Sequence, residues 1–346
     1  MVTGGAGFLG SHTCLILLQN GFEIFVLDSF INSSSKSIKR IIKILKLEGK
    51  DLEKKLHLFK ADIKNEKEID AIFKLASERN KSIEAVIHFA GLKSVSESIF
   101  NPLSYWENNV NGTIKLLKIM EKYNCKCIVF SSSATVYRAQ TCKLLKEDDF
   151  CDPINPYGQT KLAIEKLLND IYKSSPTEWR IACLRYFNPV GAHESGLIGE
   201  DPLGKPNNIY PQITKVAIGE LKEIMIYGSD WPTNDGTGIR DYIHVMDLAE
   251  GHLMTLNFLL QRKAQSLTIN LGTGKGTSVL ELINTFQKVN GLKIPYRFVD
   301  RRPGDNPYVV ADNSLAKSVL NWEPKRNIAD ICISGWNWQS RNPKGY

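Results

Sequence analysis

Tyr157 and Lys161 stand four residues apart in Tyr157-Gly-Gln-Thr-Lys161, a spacing that puts both side chains on one face of a helix. A tyrosine hydroxyl ionises near pH ~10, so it acts as a proton acceptor at neutral pH only with help. A lysine ammonium one turn away, joined by a second positive charge, would favour the phenolate. Bringing the hydroxyl to neutrality takes about 4 kcal/mol of differential interaction. The pattern alone also describes two solvent-facing helix residues. A second group lies upstream, where Ser131-Ser-Ser-Ala-Thr-Val-Tyr137 follows the apolar run Cys127–Phe130. If that run is a strand of a parallel sheet, its C-terminal end lines the ligand crevice. A serine hydroxyl there can bridge a substrate oxygen and the phenolate. Alone, a serine triplet reads equally as a polar turn.

The third group is Val2-Thr-Gly-Gly-Ala-Gly-Phe-Leu-Gly10. Gly5, Gly7 and Gly10 fit G-x-G-x-x-G, and Gly4, Gly7 and Gly10 fit G-x-x-G-x-x-G. Glycines let a strand turn sharply into a helix, and they keep the backbone open to a pyrophosphate. The helix N-terminus then meets the phosphates with free N–H groups. Alone this is an ordinary strand–turn–helix, but its context is stronger. The next apolar run, Glu23–Leu27, ends in Asp28, eighteen residues past Gly10. A carboxylate there accepts hydrogen bonds from an adenosine ribose and repels a 2′-phosphate, which favours NAD over NADP. Asp62 and Ile63, after the third apolar run, are placed for the adenine edge. The nicotinamide of NAD is the second positive charge that Tyr157 requires.

These groups need a particular frame. Apolar runs at Glu23–Leu27, Leu56–Phe59, Ala85–Phe89, Cys127–Phe130 and Ile181–Tyr186 alternate with amphipathic stretches such as Glu66–Arg79 and Asn108–Lys122. That alternation describes βαβ units, and the expected class is α/β with a Rossmann-type doubly wound parallel sheet. Residues 1–187 are expected to form the NAD-binding domain and 188–346 a smaller α/β substrate domain, with a segment near 238–262 returning to the first. Asn188–Tyr210 is rich in Gly, Pro and Asn, and Gly228–Gly238 reads as a loop. Helical pattern returns at Met246–Leu260 and Val279–Lys288. Only Met1 and Val2 precede Thr3-Gly4, so the strand needed at the sheet centre is shorter than the ~5–6 residues typical of strands. Either the chain start is truncated or that strand is unusually short.

Composition sets the outer bounds. The chain has 346 residues, 42% hydrophobic and 23% charged, enough for two domains with full cores and unlike collagenous or disordered chains. No apolar run reaches the ~20 residues of a membrane helix, and no signal peptide is visible, so the expected address is the cytoplasm with no membrane partner. Seven cysteines, at 14, 125, 127, 142, 151, 183 and 332, are odd in number and scattered, which argues against a disulfide framework. With the six histidines they make no metal-ligand pattern, so no metal is expected. The net charge is +7, and residues 30–60 hold nine Lys/Arg against three Asp/Glu. That stretch reads as a solvated helix face. It lacks the interleaved aromatics or helix-turn-helix of a nucleic-acid partner.

Glycine turn, strand-end serine and Tyr-x-x-x-Lys together resemble the extended short-chain dehydrogenase/reductase family, and within it the UDP-glucose 4-epimerases. The further matching stretches are His88-Phe-Ala-Gly-Leu-Lys93, Asn108-Asn-Val-Asn-Gly-Thr113, Arg185-Tyr-Phe-Asn-Pro-Val-Gly-Ala192, Gly199-Glu-Asp-Pro202, Pro206-Asn-Asn208, Asp235-Gly-Thr-Gly-Ile-Arg-Asp-Tyr-Ile-His244 and Arg301-Arg-Pro-Gly-Asp305. They span essentially the whole chain. The resemblance implies that Tyr157 takes the proton of the sugar 4-hydroxyl while hydride leaves C4 for the nicotinamide. Lys161 would hold the nicotinamide ribose, and Ser133 would share a hydrogen bond with the 4-oxygen. Cofactor contacts are implied at Gly4, Gly7, Phe8, Leu9, Gly10, Asp28, Asn32, Asp62, Ile63, Phe89, Ala90, Gly91, Lys93, Asn108 and Phe187. Substrate contacts are implied at Asn188, Asn208, Arg240, Arg302 and Asp305, with the arginines suited to a UDP diphosphate.

Two rival readings use the same scaffold. A sugar-nucleotide dehydratase also oxidises C4 but needs an added Asp-Glu pair after the strand-end Ser/Thr, where this chain has Ala134 and Thr135. A non-catalytic NAD-binding scaffold tends to lose the tyrosine or lysine, and both are present. The family usually pairs two helices per subunit into a four-helix bundle, which makes Asn108–Lys122 and Tyr157–Tyr172 the candidate homodimer surface. Arg138 replaces a glycine usual in the family. Val309, four residues after Asp305, matches a family position where tyrosine restricts the sugar pocket near C2, so the resemblance implies room for an N-acetyl group, the alternatives being that Val309 is plain strand core or that Tyr308 closes the gap.

Overall fold

The computed structural model describes residues 1–138, 143–201, 208–302 and 305–346. Cys142, Pro202, Pro206, Asn207, Pro303 and Gly304 of the sequence patterns lie outside the described residues. The chain begins β1 (Val2–Thr3), α1 (Phe8–Gln19), β2 (Ile24–Asp28), α2 (Ser35–Leu47), β3 (Leu56–Lys60), α3 (Glu66–Glu78), β4 (Val86–His88), α4 (Val95–Phe100) and α5 (Pro102–Tyr105). A π-helical turn, Trp106–Asn111, leads into α6 (Gly112–Lys122), followed by β5 (Cys127–Ser133), α7 (Pro156–Ser174) and β6 (Arg180–Tyr186). Then come β7 (Asn188–Val190), α8 (Ile209–Ala217), β8 (Ile224–Tyr227), β9 (Ile239–Arg240), β10 (Tyr242–His244), α9 (Val245–Leu260) and β11 (Gln265–Leu271). The chain closes with β12 (Thr277–Ser278), α10 (Val279–Asn290), β13 (Tyr296–Val299), β14 (Tyr308–Val309), α11 (Ser314–Leu320) and α12 (Ile328–Arg341).

Two compact units result. The first holds Met1–Arg138, Phe150–Arg185 and Ala249–Ile269. Its seven-stranded sheet has the order β11-β6-β5-β4-β1-β2-β3, with β1–β2, β1–β4, β2–β3 and β4–β5 paired in parallel. This is the doubly wound Rossmann arrangement, in which the order reverses beside the first strand. Two residues suffice for β1 because both neighbours pair with it: Val2 faces Val26 and Ile87, and Thr3 faces Leu27 and His88. Leu27, Phe73, Leu116, Phe130, Leu168 and Ile181 are among the buried side chains of the core. The seventh strand, β11, escaped the sequence reading. Its alternation of Ser266, Thr268 and Asn270 with Leu267, Ile269 and Leu271 is the weak signal of a half-buried edge strand.

The basic stretch resolves into helix amphipathicity. Ile38, Ile41, Ile44 and Leu45 of α2 are buried, and the Ser34 side chain caps its first turn. Lys36, Lys39, Lys43 and Lys46 occupy the exposed face.

The second unit holds the remaining described residues, within 139–149, 186–248 and 270–346. Its core includes Ile213, Ile224, Ile283, Phe286, Ile331 and Cys332. Three small sheets order its loops. β7 lies parallel to β10, β8 is paired with β13, and β9 sits between β12 and β14. No helix of the described residues is long and apolar enough to cross a membrane.

Candidate active site

The glycine turn has the shape its sequence requires. Gly4 adopts φ +67°, which a side chain disfavours. A Cβ on Gly10 would sit 2.2 Å from the Gly4 carbonyl oxygen, so α1 packs against the turn only with hydrogen at that position. No side chain caps α1, and its first turn has no acidic residue, which leaves its positive end available to an anion. Asp28, at the end of β2, is buried. Its Oδ2 accepts the Ala6 N–H at 2.9 Å, and its Oδ1 accepts Phe30 N–H at 2.9 Å and Ser33 Oγ at 2.7 Å. A carboxylate offers about four acceptor positions, so capacity remains for a ribose hydroxyl. The open cradle and the oriented acid together fit a dinucleotide.

The other expected cofactor residues of this unit vary in exposure. Asn32 and Lys93 are exposed, Asp62, Phe89, Ala90, Gly91 and Asn108 are half-buried, and Ile63 is buried in the core. Asp62 accepts the Lys64 N–H at 2.8 Å, and Phe89 packs on His252 with ring centroids 4.7 Å apart. Asn109, which the sequence reading passed over for Asn108, makes the buried ties. Its Oδ1 accepts the Leu92 N–H at 2.8 Å, and its Nδ2 donates to the Leu92 carbonyl and to Thr160 Oγ1, both at 3.1 Å. It thereby fastens the segment after β4 to α7. A second asparagine beside one already assigned was the only trace of this in the sequence. His88 bridges Thr3 Oγ1 at 2.6 Å and Thr113 Oγ1 at 2.8 Å. Burial pushes its pKa down to about 3, so it is a neutral tie and not an acid.

The chemistry-bearing trio comes together at the end of β5. Asn155 caps α7 by accepting the Gly158 N–H at 2.8 Å, with Pro156 in the first turn. A Cβ on Gly158 would lie 2.7 Å from the Thr135 carbonyl oxygen, so that glycine lets the start of α7 press against the residues following β5. Ser133 hydrogen-bonds the Tyr157 hydroxyl. Thr135 in turn donates to Ser133 Oγ from its backbone N–H at 3.2 Å and its hydroxyl at 3.0 Å. Lys161 Nζ donates to the Ser131 carbonyl at 2.7 Å and lies 5.8 Å from the Tyr157 ring centroid.

Burial pushes the Tyr157 hydroxyl up to about 12, opposed by the Ser133 hydrogen bond, so the positive charge of a bound nicotinamide is what the pair still needs to favour the phenolate. Burial also pushes Lys161 down to about 8, with Glu165 pulling it back up. Both groups are out of water, which disfavours the charged form of each.

In the second unit, Arg240 is held at three points. Its guanidinium donates to the Ile239 carbonyl at 2.9 Å, to the Asn306 carbonyl at 2.8 Å and to Asp305 Oδ1 at 3.1 Å. Asp305 N–H donates to the Arg302 carbonyl at 3.2 Å, and the Arg302 guanidinium lies 3.7 Å over the Tyr227 ring. Asn188 donates its N–H to the Asp241 carbonyl at 3.0 Å, beside Arg240. Asn208 is exposed at the N-terminus of α8, and Phe187 is buried. Arg138 pairs with Asp152 at 2.8 Å with its side chain 65% exposed. Val309 faces Arg240 in the β14–β9 pairing, while the neighbouring Tyr308 turns its ring toward Gly276.

Comparison with known proteins places this geometry. The family described as GDP-mannose 4,6 dehydratase matches residues 1–334. A UDP-glucose 4-epimerase of Bacillus subtilis is 50% identical over 346 residues, covering 100% of this chain and 98% of that protein. Among solved structures, a UDP-glucose 4-epimerase from Stenotrophomonas maltophila with bound NAD and formylated UDP-arabinopyranose superposes with TM-score 0.92 at 44% identity, covering 99% of this chain and 98% of that one. One from Bifidobacterium longum in complex with NAD+ and UDP gives TM-score 0.91 at 44% identity, covering 100% and 99%. Full-length identity at this level, on a Rossmann sheet that carries the tyrosine, lysine and strand-end serine, means that the chain belongs to the UDP-glucose 4-epimerase family of extended short-chain dehydrogenases/reductases.

Proposed function

We propose that this chain is an NAD-dependent isomerase that interconverts UDP-glucose and UDP-galactose. The observation that carries the reading is the Ser133–Tyr157 hydrogen bond, with Lys161 one turn along the same helix. A sugar C4–H is not acidic, so inversion there requires transient oxidation. NAD, held at the glycine turn and by Asp28, would supply reversible hydride acceptance at sugar C4. Tyr157 Oη accepts the proton of the 4-hydroxyl in that exchange and gives it back. Ser133 Oγ steadies both oxygens. Lys161 supplies positive charge and a grip on the cofactor ribose, and Asp28 holds the adenosine ribose. Arg240 and Arg302 bind the diphosphate, and Asp305, Asn188 and Asn208 complete the hold on the UDP portion.

Supporting the homodimer, Ile99, Phe100, Leu103 and Trp106 expose 59%, 82%, 84% and 43% of their surfaces. They lie on α4, α5 and the π-helical turn that leads into α6, and α4 and α5 pack against α7. Exposed apolar clusters of this kind mark protein contacts, and a second copy of the same face is the occupant. The cytoplasm suits the thiols of Cys14, Cys125, Cys127, Cys151, Cys183 and Cys332, which form no disulfide among the described residues.

The deciding experiment incubates the purified protein with UDP-galactose and follows UDP-glucose, while the nucleotide released on denaturation is identified. Conversion with NAD released supports the reading. No conversion by NAD-loaded protein overturns it.

A further inference from the structure

The reaction so far uses no carboxylate on α7, yet Glu165 is buried four residues after Lys161 and eight after Tyr157, on the same face of that helix. Ser132 Oγ donates to Glu165 Oε1. Arg185, from β6, donates Nε to the same oxygen at 3.0 Å and Nη2 to Oε2 at 2.7 Å. Its Nη1 donates to the Tyr137 hydroxyl at 3.0 Å. Ser132, Arg185 and Tyr137 are buried as well. A buried ion pair is a poor means of gaining stability, because apolar side chains of similar volume do as well. What this pair adds is direction. Ser132 is the middle of the serine triplet. The carbonyl before it holds the Lys161 ammonium, and the hydroxyl after it bonds Tyr157.

We propose that Glu165, backed by Arg185, is a positioning residue: by gripping Ser132 it sets the strand end whose neighbouring residues hold Lys161 and Tyr157. The proposal rests on the roles given above to Tyr157, Lys161 and Ser133. The groups facing Lys161 are Tyr157 and Glu165 from its own helix, His88 from β4, and the Phe130 ring and Ser131 carbonyl from β5. His88 is neutral, and Glu165 is the anion that raises the Lys161 pKa against burial. Glu165 therefore also keeps the ammonium charged.

Two variants of the NAD-loaded enzyme test this. Ser132→Ala cuts the link to the strand and leaves the ion pair in place. Its kcat on UDP-galactose is expected to fall about 10-fold or more through misplacement of the reacting groups, with KM within about twofold and with bound NAD and Tm as in the wild type. Glu165→Gln is expected to slow kcat likewise and to move the alkaline limb of its pH profile to lower pH, because Lys161 loses its anion. An unchanged kcat in Ser132→Ala overturns the proposal. So does a parallel loss of kcat, NAD content and Tm in both variants, which would make the network a fold tie. Tyr157→Phe, assayed beside them, separates the two readings. If it is inactive while Ser132→Ala is not slowed, only the positioning fails, whereas full activity in Tyr157→Phe overturns the assignment of the base itself.

Discussion

Asp28 Oδ2 accepts the backbone N–H of Ala6 at 2.9 Å, so the acid expected to read the cofactor ribose also fastens the glycine turn. Asp28→Ala would leave the Ala6 and Phe30 N–H groups and the Ser33 hydroxyl without their acceptor. The expected destabilisation is about 1–3 kcal/mol, read as a lowered denaturation midpoint. The same variant should retain less NAD and discriminate less against NADP. A wild-type protein that releases mainly NADP would contradict the assignment of Asp28.

Tyr157→Phe removes the proton acceptor and leaves the packing of the ring. Turnover of UDP-galactose should drop at least ~10²-fold, with NAD content unchanged. Wild-type turnover in that variant would rule out Tyr157 as the base.

His88 gives a signature in acid. Its pKa is about 3 in the folded chain against an ordinary 6.5, so between those values the unfolded state binds the extra proton. Stability from this group is complete above pH 6.5 and is lost as pH falls toward 3, at about 1.4 kcal/mol per pH unit within the window. The difference in unfolding free energy between wild type and His88→Asn, measured from pH 7 to pH 4, should shrink as pH falls. A constant difference would contradict the burial of a neutral imidazole.

Arg138, which the sequence resemblance sets against a glycine, commits its guanidinium to Asp152 at 2.8 Å near the surface. Exposed ion pairs contribute little. Arg138→Gly should therefore leave kcat within about twofold and stability within about 0.5 kcal/mol. A large rise in kcat would show that the arginine crowds the sugar.

Val309 tests the sugar range. Adjacent residues of a strand face opposite ways, and Tyr308 turns toward Gly276, so Tyr308 does not fill the space expected beside Val309. UDP-N-acetylgalactosamine should be turned over with a lower kcat/KM than UDP-galactose, and Val309→Tyr should abolish that activity alone. A wild type inert on the acetylated sugar would show the pocket closed by another residue.

Residue type and local spacing were enough for the parts of this protein that are local in the chain. The glycine turn, the acid ending β2, the five apolar runs that became β2 to β6 and the tyrosine–lysine pair each depend on neighbours a few residues away, and periodicity reports those directly. Tertiary structure alone decided how the groups are held. Asn109 rather than Asn108 makes the buried ties, because which of two adjacent amides points inward depends on the π-helical turn and on Thr160 across from it. β11 pairs at the sheet edge although its composition is only half apolar. Burial raises the Tyr157 pKa, and that burial is set by what packs around the pair and not by the three residues between them. Glu165 and Arg185 lie twenty residues apart in the chain and meet only when β5, α7 and β6 are assembled. Spacing along a sequence carries no record of such a meeting.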